Sequence, residues 1–366
     1  MPRTIAFVAN SARNLTHFRG ALLAAVRGAG MRVLALTPPG PEVAALRRAG
    51  YHHYPLRWLQ RSGANPLRDL ALVRELRALF RRHRVHTALL FTAKPVVFGA
   101  LAARWAGVGS ICTLTGLGFA YIRGGRWRWL MDRLYGRALR RADWTFFHNP
   151  DDRRQFLASG RVRADHSSVV GGSGIDPRAF PAAPYAAADP DHFLFIGRLL
   201  RDKGVGEFVA AARAVHRSHP RARFTIIGEP DAGNPASIGP ALARRLNELP
   251  GVAYLGARAD VRPHLAAAAA VVLPSYREGL PRTLLEGAAT ARPLVATDVP
   301  GCREVCRPGK TGWLVPPRDA GALAEALRKV LDTPVEQRAR LGRNARRLVE
   351  QRFSVDAVVA AYLARL

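Results

Sequence analysis

Two glutamates, Glu278 and Glu286, stand eight residues apart in the segment SYREGLPRTLLE, on either side of Pro281. Proline is tolerated at a first helical position, where its missing N–H has no intrahelical partner. An apolar run at 270–274 leads straight into the segment. Glu278 is therefore expected on the loop at the carboxyl end of a strand, and Glu286 more than a turn into a helix. Between them the unpaired N–H groups and the positive end of the helix dipole offer a seat for an anion. Two carboxylates around such a seat suit a ligand carrying both hydroxyls and phosphates, and a nucleotide-sugar is one.

A second set of reactive side chains lies upstream in FLFIGRLLRDKGVGEFV, residues 193–209. Gly197 ends a strand pattern, Arg198 follows at once, and Lys203 with Gly204 opens the next helix. Both cations are placed to reach the crevice above a sheet, near the 278–286 helix. There they can counter a diphosphate, arginine in a bidentate fashion and lysine as a point charge. The plainer alternative is a solvated basic turn. Composition weighs on the choice, because lysine occurs only at positions 94, 203, 310 and 329, leaving 52 of 56 basic residues as arginine.

Short apolar or β-branched runs at 5–10, 32–37, 52–56, 87–92, 110–115, 144–148 and 167–170 alternate with helical patterns such as 69–82 and 95–105. A second series follows at 192–197, 223–228, 252–256, 270–274, 293–298 and 312–315. Strands alternating with helices predict an α/β fold with parallel sheets. The stretch FPAAPYAAADPD, 180–191, has no apolar period and reads as a linker. The expectation is two doubly wound, Rossmann-like domains, 1–182 and 190–350, facing a cleft, with 351–366 as a terminal helix packing back toward the first. Ligands of such sheets bind outside the carboxyl ends of the strands.

At 366 residues the chain exceeds what one core usually serves. A hydrophobic fraction of 48% with 23% charged residues excludes a disordered polymer. No apolar run reaches the roughly 18–20 residues of a spanning helix, and the opening strand pattern lacks the features of a signal peptide. Cys112, Cys302 and Cys306 have neither zinc-ligand nor disulfide-framework spacing, so reduced thiols and a cytoplasmic location are expected. The net charge of +29 predicts attraction to something anionic, or reflects an arginine-rich composition alone.

The GRL-x3-KG run at 197–204, the Glu278/Glu286 pair and GKTGWLVPP at 309–317 together resemble the family 4 retaining glycosyltransferases of the GT-B fold. In the first half, THFRGAL (16–22), KPVVFGALAARWAGV (94–108), TLTGLGFAYI (113–122) and NPDD (149–152) are similar to the branch that extends undecaprenyl-diphosphate-linked sugars. The resemblance implies that Arg198 and Lys203 hold the donor diphosphate. Glu278 would contact the transferred sugar and Glu286 the ribose hydroxyls. Gly197 would lie against the donor, and Gly279, Leu280 and Thr283 would touch the sugar or the β-phosphate. It implies no metal and no cofactor beyond a UDP-sugar, with a lipid-linked saccharide as acceptor. Cations and helix N–H groups suit the negative charge that develops on a departing diphosphate.

For the acceptor, the loop NSARNLTHFR (10–19) is expected to enter a helix near Thr16 or His17 and to offer its N–H groups with Asn14, His17 and Arg19. His17 reads equally as a surface residue beside a helix cap. Lys94 is expected at a strand's carboxyl end. Gly116 and Gly118 of TGLG are expected to line the cleft floor by close backbone approach. Many family 4 relatives carry a histidine near position 93, where this chain has Ala93. Residues 121–144 interleave seven arginines with aromatic and aliphatic residues, and Trp127, Leu130, Leu134 and Ala138 share one helical face. That pattern suits an anionic membrane surface on the inner face of the cell membrane, and equally a domain helix with an inward apolar stripe.

Three rival readings remain. Paired carboxylates also serve glycosidases, but hydrolysis has no use for a diphosphate clamp. A UDP-sugar epimerase of the same fold would leave KPVVFG and TGLG without a role. Nucleic-acid binding would need basic clusters with aromatic platforms or a known module, and none is present. PGKT at 308–311 lacks the upstream glycine of a phosphate-binding loop, since Glu304 stands there.

Overall fold

Thirteen parallel strands form two sheets among the residues described. The computed structural model describes residues 2–60, 63, 65–117, 121, 124–185, 188–231 and 233–366, without the side chains of Arg126 and Trp127. The chain divides into two units, Met1–Gly174 with Val355–Leu366, and Ile175–Ser354.

In the first unit the strands are β1 (Thr4–Val8), β2 (Arg32–Thr37), β3 (His52–Pro55), β4 (Thr87–Phe91), β5 (Gly109–Leu114), β6 (Trp144–Phe147) and β7 (Ser167–Val169). Their order is β3-β2-β1-β4-β5-β6-β7, so the sheet reverses direction between β1 and β4. Between them run α1 (Ala12–Phe18), α2 (Gly20–Gly28), α3 (Val43–Arg48), α4 (Pro66–Arg82), α5 (Ala100–Ala106, entered through a π-helical turn Pro95–Gly99), α6 (Gly125–Leu139) and α7 (Pro150–Ala158). The strands are apolar on both faces because helices cover both. Val8, Leu36, Leu90 and Leu114 pack with Leu76 of α4, Ala102 of α5 and Tyr135 of α6. Phe7, Leu89, Phe91 and Ile111 face the other way, against Leu15, Leu23 and Tyr362 of the helix Val355–Leu363. The Tyr362 hydroxyl shares a hydrogen bond of 2.8 Å with Thr113 Oγ1, between Phe91 and Phe146.

The second unit holds β8 (His192–Ile196), β9 (Arg223–Ile227), β10 (Val252–Gly256), β11 (Ala270–Leu273), β12 (Leu294–Thr297) and β13 (Gly312–Val315), in the order β10-β9-β8-β11-β12-β13. Phe195, Val271 and Val295 join Phe208, Leu285 and Leu327 in its core. The stretch 180–191 lies inside this unit. Arg292 donates to the carbonyls of Ala183 and Pro184 at 3.1 and 3.2 Å, and the Tyr185 hydroxyl donates to Ala269 O at 2.9 Å. Ile175 N–H donates to Phe353 O, which places the boundary at Gly174 rather than at the end of a free linker. Among the described residues no helix is long and apolar enough to cross a membrane.

Candidate active site

The second sheet reverses its order between β8 and β11, the place where open α/β sheets bind ligands. Gly197 to Lys203 leave the end of β8, and Ser275 to Glu286 leave the end of β11. Two glycines allow close backbone approach to the segment that leaves β11, one at the end of the first loop and one in the turn after β12. Gly204 sits at φ +72°, and a Cβ there would fall 2.1 Å from Pro274 O. Gly301 sits at φ +80°, where a Cβ would fall 2.5 Å from Gly279 O. Only glycine allows this backbone at that spacing.

The close turn brings Lys203 to Glu278, and the lysine ammonium donates to Glu278 Oε1. Only 11% of the Glu278 side chain is exposed. Tyr276 N–H donates to Asp202 O at 2.9 Å, tying the two loops again beside the pair. Arg198 Nη1 lies 2.6 Å from Asp231 Oδ2, with the arginine 49% exposed. Both sequence-predicted cations thus hold a carboxylate, and a diphosphate offers each an anion in exchange.

The helix Arg282–Ala289 starts one residue later than expected, because Pro281 is its N-cap and supplies its carbonyl to Leu284 N–H at 3.2 Å. Thr283 Oγ1 donates to Ile196 O at 2.9 Å, which fastens the helix tip to the end of β8. Glu286 sits in the second turn and accepts from Arg282 Nε at 2.8 Å. Burial pushes its carboxyl above the usual carboxylate range, and Arg282 partly counters the push. A nearly buried carboxylate with acceptor capacity left is a fitting partner for ligand hydroxyls. Gly279 is buried and Leu280 packs partly against the core, so their contribution to a ligand is backbone.

The first sheet reverses between β1 and β4. Residues expected to serve the acceptor follow β1, β4 and β5. The loop after β1 differs from its expected form. Ser11 caps α1 by accepting Asn14 N–H at 3.2 Å, so the helix begins at Ala12 and His17 lies in its last turn. The helix start expected near Thr16 or His17 is absent, because a serine three residues ahead of an N–H captures it first. His17 is exposed and its Nδ1 meets Thr16 Oγ1 at 3.1 Å. Asn14 keeps a buried Oδ1 without a hydrogen bond. Arg19 is buried, its guanidinium 4.6 Å from the Phe91 ring centre. Lys94 binds Asp69 at 2.7 Å, which turns it toward α4. Gly116 adopts φ +127° just after β5, and Gly118 lies outside the described residues.

His148, directly after β6, escaped the sequence reading. It is buried, its Nε2 has no hydrogen bond, and burial with the nearby Arg19 charge drives its basicity well below the usual 6.5. The available signal was position: a histidine at a strand's carboxyl end, followed by Asn149, whose side chain caps α7 by accepting Asp152 N–H at 2.8 Å. Thr92, after β4, takes a left-handed φ of +72° with an unbonded hydroxyl, a strained conformation of the kind that gathers at functional sites. Among the described residues no group of three or more His, Cys, Asp or Glu side chains gathers as a metal site.

Comparison with known proteins matches both units. Residues 17–172 match the model of the glycosyl transferase 4-like domain, and residues 190–333 that of glycosyl transferases group 1. The chain belongs to this class of glycosyltransferases, on the GT-B fold. It is 26% identical, over 93% of its length and 92% of the other's, to the Campylobacter jejuni N,N'-diacetylbacillosaminyl-diphospho-undecaprenol alpha-1,3-N-acetylgalactosaminyltransferase. It is 34% identical to a glycogen synthase of Mycobacterium tuberculosis, with 52% of this chain spanning 45% of that protein. Anabaena HepE, solved with UDP and glucose, superposes with a TM-score of 0.80 at 20% identity over 99% of each chain. Sucrose-phosphate synthase from Thermosynechococcus elongatus gives a TM-score of 0.80 at 19% identity, over 99% of this chain and 98% of that one.

Proposed function

We propose that the protein is a retaining, metal-independent glycosyltransferase. It moves a hexose or N-acetylhexosamine from a UDP-sugar to a polyprenyl-diphosphate-linked saccharide at the cytoplasmic face of the cell membrane, in the assembly of a cell-surface glycan. The observation that carries the reading is the Lys203–Glu278 pair at the β8/β11 switch point, beside Arg198 and the tip of the Arg282–Ala289 helix. The near full-length likeness to a lipid-linked sugar transferase supports the acceptor class. The relatives named above are transferases and synthases, which does not favour an epimerase.

In this reading the donor diphosphate takes Arg198 from Asp231 and draws Lys203 away from Glu278. Glu278 is then released to face the sugar, where positive charge develops at the anomeric carbon. The cations and the N–H groups at the helix tip stabilise the departing diphosphate, and removing one such donor commonly costs about 10²–10³ in rate. Glu286 holds the ribose. Asn14, His17, Arg19, Lys94 and Gly116 serve the acceptor. Lys94 must part from Asp69 to do so.

The test is transfer of label from a UDP-sugar to a polyprenyl-diphosphate saccharide in detergent, with the anomeric configuration of the product read by NMR. Glu278→Gln should abolish transfer while leaving UDP binding in place. Epimerised UDP-sugar with no lipid product, or full activity in that variant, would overturn the proposal.

A further inference from the structure

Helices α4, α5 and α6 cover one face of the first sheet and share a single core. Their outer side is unusual. Leu67 of α4 is 80% exposed, Trp129 of α6 is 59% exposed, and Leu70 of α4, Trp105 of α5 and Leu130 of α6 are exposed too. Trp58, on the loop leading to α4, is exposed as well. The expected apolar stripe of α6 turns inward only in its later half, where Ala138 is buried and Leu134 packs partly against the core together with Tyr135 and Leu139, while Leu130 faces out.

Charge follows the same side. On α4 the exposed arc places Leu67 and Leu70 with Arg74 and Arg81. Arg133 stacks over Trp129, 4.9 Å from its ring centre. The three acids of these helices are all engaged. Asp69 binds Lys94, Glu75 accepts the N–H groups of Arg57 and Trp58 at 2.9 and 3.3 Å, and Asp132 binds Arg161 at 3.1 Å. The outer surface therefore combines large apolar side chains with uncompensated arginines. A solvated protein face mixes both signs and hides such residues. A surface that pairs apolar insertion with cationic attraction matches an anionic lipid interface.

We infer that the outer side of the α4–α5–α6 layer docks the protein on an anionic bilayer. Leu67, Leu70 and Trp129 enter the headgroup boundary while Arg74, Arg81 and Arg133 pair with lipid phosphates. The inference deepens the reading of a lipid-linked acceptor by assigning the face that meets the membrane.

Flotation with vesicles tests it, comparing pure phosphatidylcholine with an equimolar mixture of phosphatidylcholine and phosphatidylglycerol. The parent should float with the mixed vesicles only. Replacing Arg74 and Arg81 by Gln should weaken partition roughly 25-fold, at about fivefold per arginine near an anionic surface. Leu67→Gln with Leu70→Gln and Trp129→Gln should weaken it roughly tenfold or more. Arg340→Gln with Arg343→Gln, the same loss of charge on exposed positions of the second unit, should leave it unchanged. Unchanged circular dichroism melting checks that these exposed substitutions leave the fold intact. Equal losses in both arginine pairs, no flotation of the parent, or a self-associated dimer broken by the leucine variant each overturn the assignment. The two readings fail separately. Flotation by this face without any sugar transfer removes the proposed activity, whereas transfer in detergent without flotation removes the docking face.

Discussion

Replacing Lys203 by Met separates the two duties that its position gives it. Lys203 neutralises Glu278, and both side chains are largely withdrawn from water, 23% and 11% exposed. A hydrogen bond to a charged group in such a setting contributes about 2 kcal/mol, and its loss leaves a carboxylate unpaired. For a unit of this size that corresponds to a fall of roughly 4–8 °C in Tm. Adding Glu278→Gln removes the stranded charge, so the double variant should recover most of the lost Tm. Transfer should not recover, because the diphosphate still lacks its cation and Glu278 is gone as well. Scanning fluorimetry of the two single variants and the double, alongside turnover of each, makes the comparison. An unchanged Tm in Lys203→Met would mean the ion pair does not form. Activity restored in the double variant would mean Lys203 serves only to balance Glu278, and the diphosphate clamp would be wrong.

Asp231→Asn removes the carboxylate that competes for Arg198. The arginine is half-exposed, so the pair contributes only about 0.5 kcal/mol, and UDP should bind about twofold more tightly by calorimetry. Equal affinity in parent and variant would place the phosphates away from Arg198. Gly204→Ala must fit a Cβ 2.1 Å from Pro274 O at φ +72°, so chemical denaturation should show a loss of more than about 2 kcal/mol. His148 has a folded-state pKa well below its unfolded 6.5. The stability it permits is complete above 6.5 and falls below that pH by about 1.4 kcal/mol per unit until the folded-state value is reached. His148→Gln should flatten that acid limb in urea titrations run from pH 7 downward; an identical slope would show that the histidine is not buried neutral.

Parallel strands buried on both faces announce themselves as apolar runs, which is why every strand was legible. Most were read one residue or more too long at the carboxyl end. Ala9, Thr92, His148, Gly197 and Pro274 look like strand residues in sequence and are the first loop residues in the structure. Those positions form the edges where ligands of this fold bind, so the error falls on the functional rim. The pairing of Lys203 with Glu278 joins residues far apart in sequence, and no local pattern encodes which carboxylate a lysine will meet. His17 falls in the last turn of α1 rather than at a helix start because Ser11 caps the helix six residues earlier. The lowered basicity of buried His148 owes part of its cause to the charge of Arg19, at the joint of α1 and α2, and periodicity carries no trace of that neighbour.

Tyr362 closes the core of the first unit, yet it is translated after the whole of the second. During synthesis the Ile175–Ser354 stretch can condense as an uninterrupted segment, while the earlier half waits with the seat beside Phe91 and Phe146 unfilled. The order of emergence from the ribosome and the order of completion are thus reversed for this chain. A fragment cut at Gly174 would expose that seat permanently, and any hybrid that exchanges the leading half must carry residues 355–366 from the same parent.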